Sequence, residues 1–206
     1  MKILFATGNP SKAKRFSIGL AKHGIEVISL KDIDVKVDVV EDGANRVENA
    51  LIKARAYAQA TGMPTIGMDD NLYLVGVPED KQPGMYVRRI DGEHEATDQE
   101  LIDHYVKIVQ EYGTDGKLDA LWKYGMALIN NGKEYTFTWE KGDLYMVDKP
   151  AAKINPGYPL NSIQKNKTLD KYFVDMTEED KEKVKQNEDF VVDFIVNSLK
   201  DSEEEK

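Results

Sequence analysis

The stretch Ala6-Thr7-Gly8-Asn9-Pro10-Ser11-Lys12 constrains the fold of this chain more than any other. It follows the short apolar run Lys2-Ile3-Leu4-Phe5, which has the make-up of a buried strand. It leads into a segment where Phe16 and Leu20 stand four apart, on one face of a helix. The stretch therefore reads as a tight strand-to-helix turn. Asn9 is suited to cap the helix, and Pro10 fits its first turn, where no backbone N–H is needed. The free N–H groups of a helix start attract an anion, and Lys12 adds a full positive charge beside them. Gly8 allows a ligand close to the backbone, and Thr7 and Asn9 offer neutral hydrogen bonds. The stretch has the chemistry of a phosphate cradle, without the second glycine and the Lys-Ser/Thr pair of a P-loop. The same residues also fit a plain capped helix start with a surface lysine.

Composition narrows the field. At 206 residues and 41% hydrophobic, the chain can build one domain, or one domain of two lobes. It has no cysteine, which excludes disulfides, a thiolate nucleophile and a zinc–thiolate site. Its three histidines, His23, His94 and His104, are not at ligand spacing, so a bound metal would be a hard cation held by carboxylates. The net charge of −9 argues against a protein that coats nucleic acid, but not against a small phosphorylated substrate met by local lysines and arginines. No signal peptide or membrane-length apolar run is visible, so a cytoplasmic protein with no membrane partner is expected.

Further along, residues 25–30 read as a second strand, and Val35-Lys36-Val37-Asp38-Val39 alternates as a half-exposed strand does. A helix is expected from Asn45 to Thr61, with Glu48 reaching back towards its start and Gly62 and Pro64 ending it. Thr65-Ile66-Gly67-Met68 reads as a short buried strand that runs into Asp69-Asp70-Asn71. Thr97 and Glu100 cap a helix to about Tyr112. Two β-rich runs, 118–129 and 134–147, flank the hairpin signal Asn130-Asn131-Gly132. A last helix is expected to start near Thr177 and carry Val184, Val191, Phe194, Ile195 and Leu199 as one stripe. A single domain over 1–200 and a disordered acidic tail over 201–206 complete the reading. Strands alternating with helices, followed by a hairpin, indicate an α/β protein with a mixed sheet.

Several residues have the chemistry for phosphate work. Neighbouring carboxylates such as Asp69 and Asp70 repel, and a dry site holds them only with a proton or a metal. One of them can orient and deprotonate an attacking water, or the pair can simply be a solvated turn. Glu41 is a further metal-ligand candidate, or an ordinary acidic loop residue. Asn49 and Lys53 share a helix face one turn apart, which suits a phosphate or plain solvation. Arg88 and Arg89 suit phosphate oxygens or surface ion pairs, and Tyr158 suits a nucleobase face or the core.

The order of these elements resembles the ITP/XTP pyrophosphatase family, the house-cleaning nucleoside triphosphate pyrophosphatases. The residues that carry the resemblance are Ala6-Thr7-Gly8-Asn9 with Lys12, Glu41-Asp42-Gly43, Glu48-Asn49-Ala50 with Lys53-Ala54, Asp69-Asp70, and Pro83-Gly84-Met85-Tyr86 with Arg89. The resemblance implies two lobes around a long mixed β-sheet flanked by helices, with a nucleotide cleft between the lobes, and a homodimer. It implies hydrolysis of a nucleoside triphosphate to monophosphate and pyrophosphate with Mg²⁺, or Mn²⁺ in its place. On this mapping Thr7, Gly8, Asn9, Lys12, Lys53 and Arg89 hold phosphates, Glu41 and Asp70 hold the metal, and Asp70, beside Asp69, activates water. Asn49, Asn71, Tyr158, Lys181, Gln186 and Asn187 would contact the rest of the nucleotide.

The departures from the family pattern fall where base specificity belongs. The usual Asp-Asp-Ser-Gly is Asp69-Asp70-Asn71-Leu72 here, which implies a different turn. Phe-Gly-Tyr-Asp becomes Pro156-Gly157-Tyr158-Pro159, and Ser-His-Arg becomes Lys185-Gln186-Asn187. Gln and Asn both donate and accept, so they can read a different base edge. The expectation is kept triphosphate chemistry with altered base preference. The competing readings are a non-catalytic nucleotide-binding sensor, favoured by the altered Asp-Asp-Asn-Leu segment, and an interaction domain that has lost the nucleotide.

Overall fold

In the computed structural model, residues 1–90, 95–184 and 188–201 are described. Twelve named elements follow in chain order: β1 (Lys2–Phe5), α1 (Pro10–Ala21), β2 (Glu26–Ser29), α2 (Arg46–Thr61), β3 (Thr65–Leu74), α3 (Asp98–Tyr112), β4 (Lys117–Asn130), β5 (Lys133–Val147), β6 (Gln164–Asn166), β7 (Lys171–Tyr172), α4 (Glu178–Lys183) and α5 (Asp189–Asp201). The seven strands form one mixed sheet in the order β2-β1-β3-β4-β5-β6-β7. Strand β1 is parallel to β2 and β3, while β6 is antiparallel to β5 and β7. The expected α/β fold with a mixed sheet is what the chain forms.

The residues gather into two compact units. One comprises Met1–Asp70, Tyr124–Trp139 and the chain from Glu188; the other comprises Asn71–Lys123 and Glu140 up to the end of the segment before Glu188. In the first unit Ala50 and Ala54 of α2 pack on Ala127 and Ile129 of β4. In the second, Leu72 and Leu74 pack with Leu101, Tyr105 and Val109 of α3 and with Leu118, Leu144 and Met146.

Glycine sets how near α2 lies to the sheet. A Cβ on Gly67 in β3 would stand 2.0 Å from the Ala50 carbonyl oxygen, and one on Gly125 would stand 3.0 Å from the Arg46 backbone. With no side chain at either place, the α2 backbone rests on β3 and β4. The β4–β5 turn is tight because Asn131 and Gly132 both take positive φ, 50° and 77°, the pairing that hairpin twist favours.

Three expectations differ from what is seen. The segment 35–39 forms no strand, although its residues do alternate between half-buried and exposed. Val37 and Val39 pack beside Leu4, Ala6 and Tyr57 instead, so the alternation reports burial without a ladder. Strand β3 does not stop at Met68 but continues to Leu74, because Leu72 and Leu74 are core residues and Leu72 N–H donates to the Gly84 carbonyl. The last helix is two helices. Thr177 caps α4, as expected from its sequence, and α5 begins anew after Glu188, whose side chain turns to Arg15. Asp201 closes α5 and accepts from the Tyr135 hydroxyl at 2.8 Å, so the helix reaches one residue into the expected tail; residues 202–206 lie outside the described set.

Gly67→Ala is expected to destabilise the protein by about 2–3 kcal/mol, since the added carbon meets backbone rather than a movable side chain. A thermal melt lowered by roughly 4–12 °C is the readout. An unchanged melting temperature would show that α2 does not need this approach.

Candidate functional site

Thr7, Gly8, Asn9, Lys12, Glu41, Asn49, Lys53, Asp69 and Asp70 all belong to the first unit. The helix start forms as its residues dictate. The Asn9 side chain accepts from Ser11 N–H at 3.0 Å, Asn9 N–H donates to Thr7 Oγ1 at 3.1 Å, and Pro10 opens α1. Gly8 is exposed, and a Cβ there would meet nothing within 4 Å. The protein itself therefore leaves open space in front of that residue. One turn into α1, the Lys12 ammonium donates to Asp70 Oδ1. Both side chains are mostly shielded, 20% and 17% exposed.

Asp69 and Asp70 sit inside β3, not at its end, so their side chains leave on opposite faces of the sheet. Asp70 goes to Lys12 of α1, and Asp69 goes to α2. There Asn49 Nδ2 donates to Asp69 Oδ2 at 3.1 Å, while Asn49 Oδ1 accepts from Gly43 N–H at 2.8 Å. One buried amide thus ties the Glu41-Asp42-Gly43 loop to the strand that carries the aspartates. Lys53, one turn beyond Asn49, places its ammonium 2.8 Å from Glu41 Oε2 and 3.8 Å from Asp69 Oδ1. Burial pushes the Asp69 carboxyl above the usual aspartate range, and Asp70 adds to this. Lys53, the Asn49 hydrogen bond and Lys12 oppose the shift without cancelling it.

The site thus holds three carboxylates, each facing a lysine. Among the described residues no group of three or more His, Asp or Glu side chains closes around one point. The Lys53 ammonium lies between Glu41 and Asp69. Carboxylate oxygens are nonetheless the donors a hard divalent ion takes, with water and phosphate oxygens completing its shell. Glu41 and Asp70 do not share one lysine; Glu41 is linked to Asp69, and Asp70 to Lys12.

The remaining expected residues lie in the second unit or outside the described residues. Asn71 is half-buried, and its Oδ1 is a buried oxygen with no hydrogen-bond partner among the described residues. Arg88 pairs with Asp98 at 2.8 Å, and Arg89 is exposed. Tyr158 is half-buried, in a turn closed by its N–H to the Asn155 carbonyl at 2.9 Å. Lys181 pairs with Glu178 on its own helix at 2.6 Å. Gln186 and Asn187, with Lys185 beside them, lie outside the described residues. The segment Asp69-Asp70-Asn71-Leu72 is not a turn of another type but continuous strand, with Leu72 in the core.

Sequence reasoning missed a second group in the first unit, made of Arg15, Tyr124, Trp139 and Glu188. The hairpin held the signal, because Tyr124 and Trp139 stand at equal distances from the Asn131-Gly132 turn and so face each other across it. Their rings stack with centroids 4.8 Å apart. Burial, with the charge of Asp70 and of Glu188 nearby, pushes the Tyr124 phenol above its ordinary range, and Arg15 opposes this.

The sequence signature of the Ham1 family matches residues 3–189. The chain is 30% identical over 205 residues to a protein of Thermoanaerobacter pseudethanolicus named dITP/XTP pyrophosphatase, covering 99% of this chain and 100% of that one. The Staphylococcus aureus Ham1 protein superposes with a TM-score of 0.66 at 23% identity, over 88% of this chain and 89% of its own, which speaks for the fold. A Mycobacterium abscessus structure described as a nucleoside-triphosphatase or dITP/XTP pyrophosphatase superposes with a TM-score of 0.62 at 26% identity, over 90% and 94%. The family match and the relatives define the class, a nucleoside triphosphate hydrolase with an α/β fold. Within it, the chain belongs to the Ham1 family, as a divergent member.

Asp69→Asn is expected to raise the melting temperature at neutral pH. A carboxyl whose folded value lies above its unfolded one costs the folded state whenever it is ionised. That cost grows as pH rises through the folded value and is absent below about pH 4, where the unfolded carboxyl is also protonated. The variant's advantage should therefore shrink to nothing in acid. An advantage that persists unchanged at low pH would show that Asp69 is not held against its charge.

Proposed function

We propose that this protein hydrolyses a nucleoside triphosphate to the monophosphate and pyrophosphate, acting on an irregular purine nucleotide such as dITP or XTP with an altered base preference. The observation that carries the reading is the capped start of α1 with Lys12 against Asp70, beside the Lys53 bridge between Glu41 and Asp69. Phosphoryl-type displacement asks a protein mainly for position and charge neutralisation. Lys12 and Lys53 supply the charge, and the positive end of the α1 dipole, behind the exposed Gly8, favours phosphate oxygens. Asp70 accepts a proton from the attacking water as its oxygen bonds to the α-phosphorus. The α–β bridging bond then breaks, and pyrophosphate leaves with the electron pair. Mg²⁺ held by Glu41 and Asp70 would neutralise phosphate charge, and Lys12 and Lys53 would turn from the carboxylates to phosphate oxygens.

Asn71, Tyr158, Lys181, Gln186 and Asn187 belong to this proposal as the residues that contact the nucleoside, and Arg89 as a further phosphate contact. The replacement of Ser-His-Arg by Lys185-Gln186-Asn187 supports the altered base preference. A homodimer in the cytoplasm is part of the same reading. No helix among the described residues is long and apolar enough to cross a membrane. The sensor reading rested on the altered Asp-Asp-Asn-Leu segment, but Leu72 is a core residue of β3 and leaves both aspartates on lysines.

The test is pyrophosphate release from a panel of ribo- and deoxynucleoside triphosphates that includes inosine, xanthosine and the four standard bases. Release from one base class, with the monophosphate as co-product and loss on chelation of divalent ions, is expected. Binding to the panel with no release at high enzyme concentration would replace this proposal with the sensor. Asp70→Asn is expected to lower kcat by roughly 10²- to 10⁴-fold while far-UV circular dichroism is retained. Full activity in that variant would remove Asp70 as the base.

A further inference from the structure

Arg15, Glu188, Trp139 and Tyr124 close a ring of contacts. Arg15 lies on α1 almost one turn after Lys12. Its Nε donates to Glu188 Oε2 at 2.5 Å, and its Nη2 donates to Glu188 Oε1. Glu188 Oε1 also accepts from Trp139 Nε1 at 3.1 Å. The Trp139 ring stacks on Tyr124, and the Arg15 guanidinium lies 4.6 Å from the centre of the Tyr124 ring. Phe16 adds an edge-on contact to Trp139. Arg15 and Glu188 are 15% and 10% exposed, so the charges are largely out of water.

Stability alone does not account for such a ring, since well-packed apolar side chains stabilise at least as well as a buried ion pair. What a hydrogen-bonded ring adds is fixed orientation. The ring fastens three things at once: helix α1, the facing pair on β4 and β5, and the residue that leads into α5. Helix α1 carries Lys12, and β4 is the hydrogen-bonded neighbour of β3, which carries Asp70. The charge of Asp70 adds to the burial that pushes the Tyr124 phenol above its ordinary range.

We propose that the Arg15–Glu188–Trp139–Tyr124 ring is a positioning device for the reactive carboxylate: it locks α1 to β4 and β5, so that Lys12 and Asp70 meet at a fixed separation and angle. The four are positioning residues, acting through Lys12 and Asp70. The inference rests on the reading of Asp70 as the base, and misplacing a reacting group by about 1 Å can cost on the order of 10²-fold in rate.

The experiment measures kcat and KM for pyrophosphate release from dITP, and melting temperature, for Tyr124→Leu, Trp139→Phe, Glu188→Gln and Glu188→Ala, beside Asp70→Asn. The expected result is a kcat lowered roughly ten- to hundred-fold with KM within about threefold, measured well below each melting point. Glu188→Gln should keep more activity than Glu188→Ala, because its amide oxygen can still accept from Trp139. Variants that melt earlier yet keep wild-type kcat would overturn the proposal and leave the ring a part of the core. An active Asp70→Asn would instead remove the reading on which the inference rests, so the two failures are distinct.

If ring variants do not fold, Trp122→Phe leaves Trp139 as the lone tryptophan of the two in the chain. Its emission should change when dITP binds, because a phosphate that draws Lys12 from Asp70 alters the ring's surroundings. Unchanged emission, at a dITP concentration that raises the melting temperature, would overturn the proposal.

Discussion

Two adjacent carboxylates on an extended strand cannot share a side, and the site depends on that constraint. Asp69 and Asp70 lie within β3, whose side chains alternate, so one faces α2 and the other faces α1. Each then meets a lysine from the helix on its own face. The alternation keeps two like charges apart without a shared proton. It also means that each helix delivers one cation to one end of the aspartate pair. Had β3 ended at Met68, the pair would sit in a turn, and neither helix would address it so directly.

Close approach makes the delivery possible. Asn49 has a short side chain, yet it reaches both Gly43 N–H and Asp69, because α2 lies on β3 and β4 where Gly67 and Gly125 carry no Cβ. The Glu41 loop is thereby held beside Lys53. On the other face α1 packs through the buried Ala13, Phe16 and Leu20, with Phe16 stacked on Phe5 of β1. Arg15 adds a contact to the aromatic pair, at the cost of burying an ion pair. The two faces thus differ, with close backbone approach on one and side-chain packing joined to a hydrogen-bonded ring on the other.

Much of this was legible in the sequence. The Asn9 and Asn45 caps, the Thr97 capping box and the Asn131-Gly132 hairpin are local effects, decided by residues within a few positions of one another. The spacing of Asn49 and Lys53 is likewise a property of one helix. Harder to read were features that depend on distant neighbours. The alternation at 35–39 is real, but a strand needs a partner, and none of the described strands pairs with it. The length of β3 depended on whether Leu72 had a core to enter. The pairing of Glu188, just before α5, with Arg15 joins residues far apart in sequence.

By itself, then, the sequence determined the α/β class, the capped helix start after β1, the aspartate pair and the lysines at helical spacing, since each follows from short-range sterics, hydrogen bonding and periodicity. Only the tertiary structure decided which carboxylate meets which lysine, and that Arg15, Tyr124, Trp139 and Glu188 form one group. Those pairings join residues up to 173 positions apart along the chain. They follow from sheet order and from how near two backbones can come, and no local pattern in the residues records either.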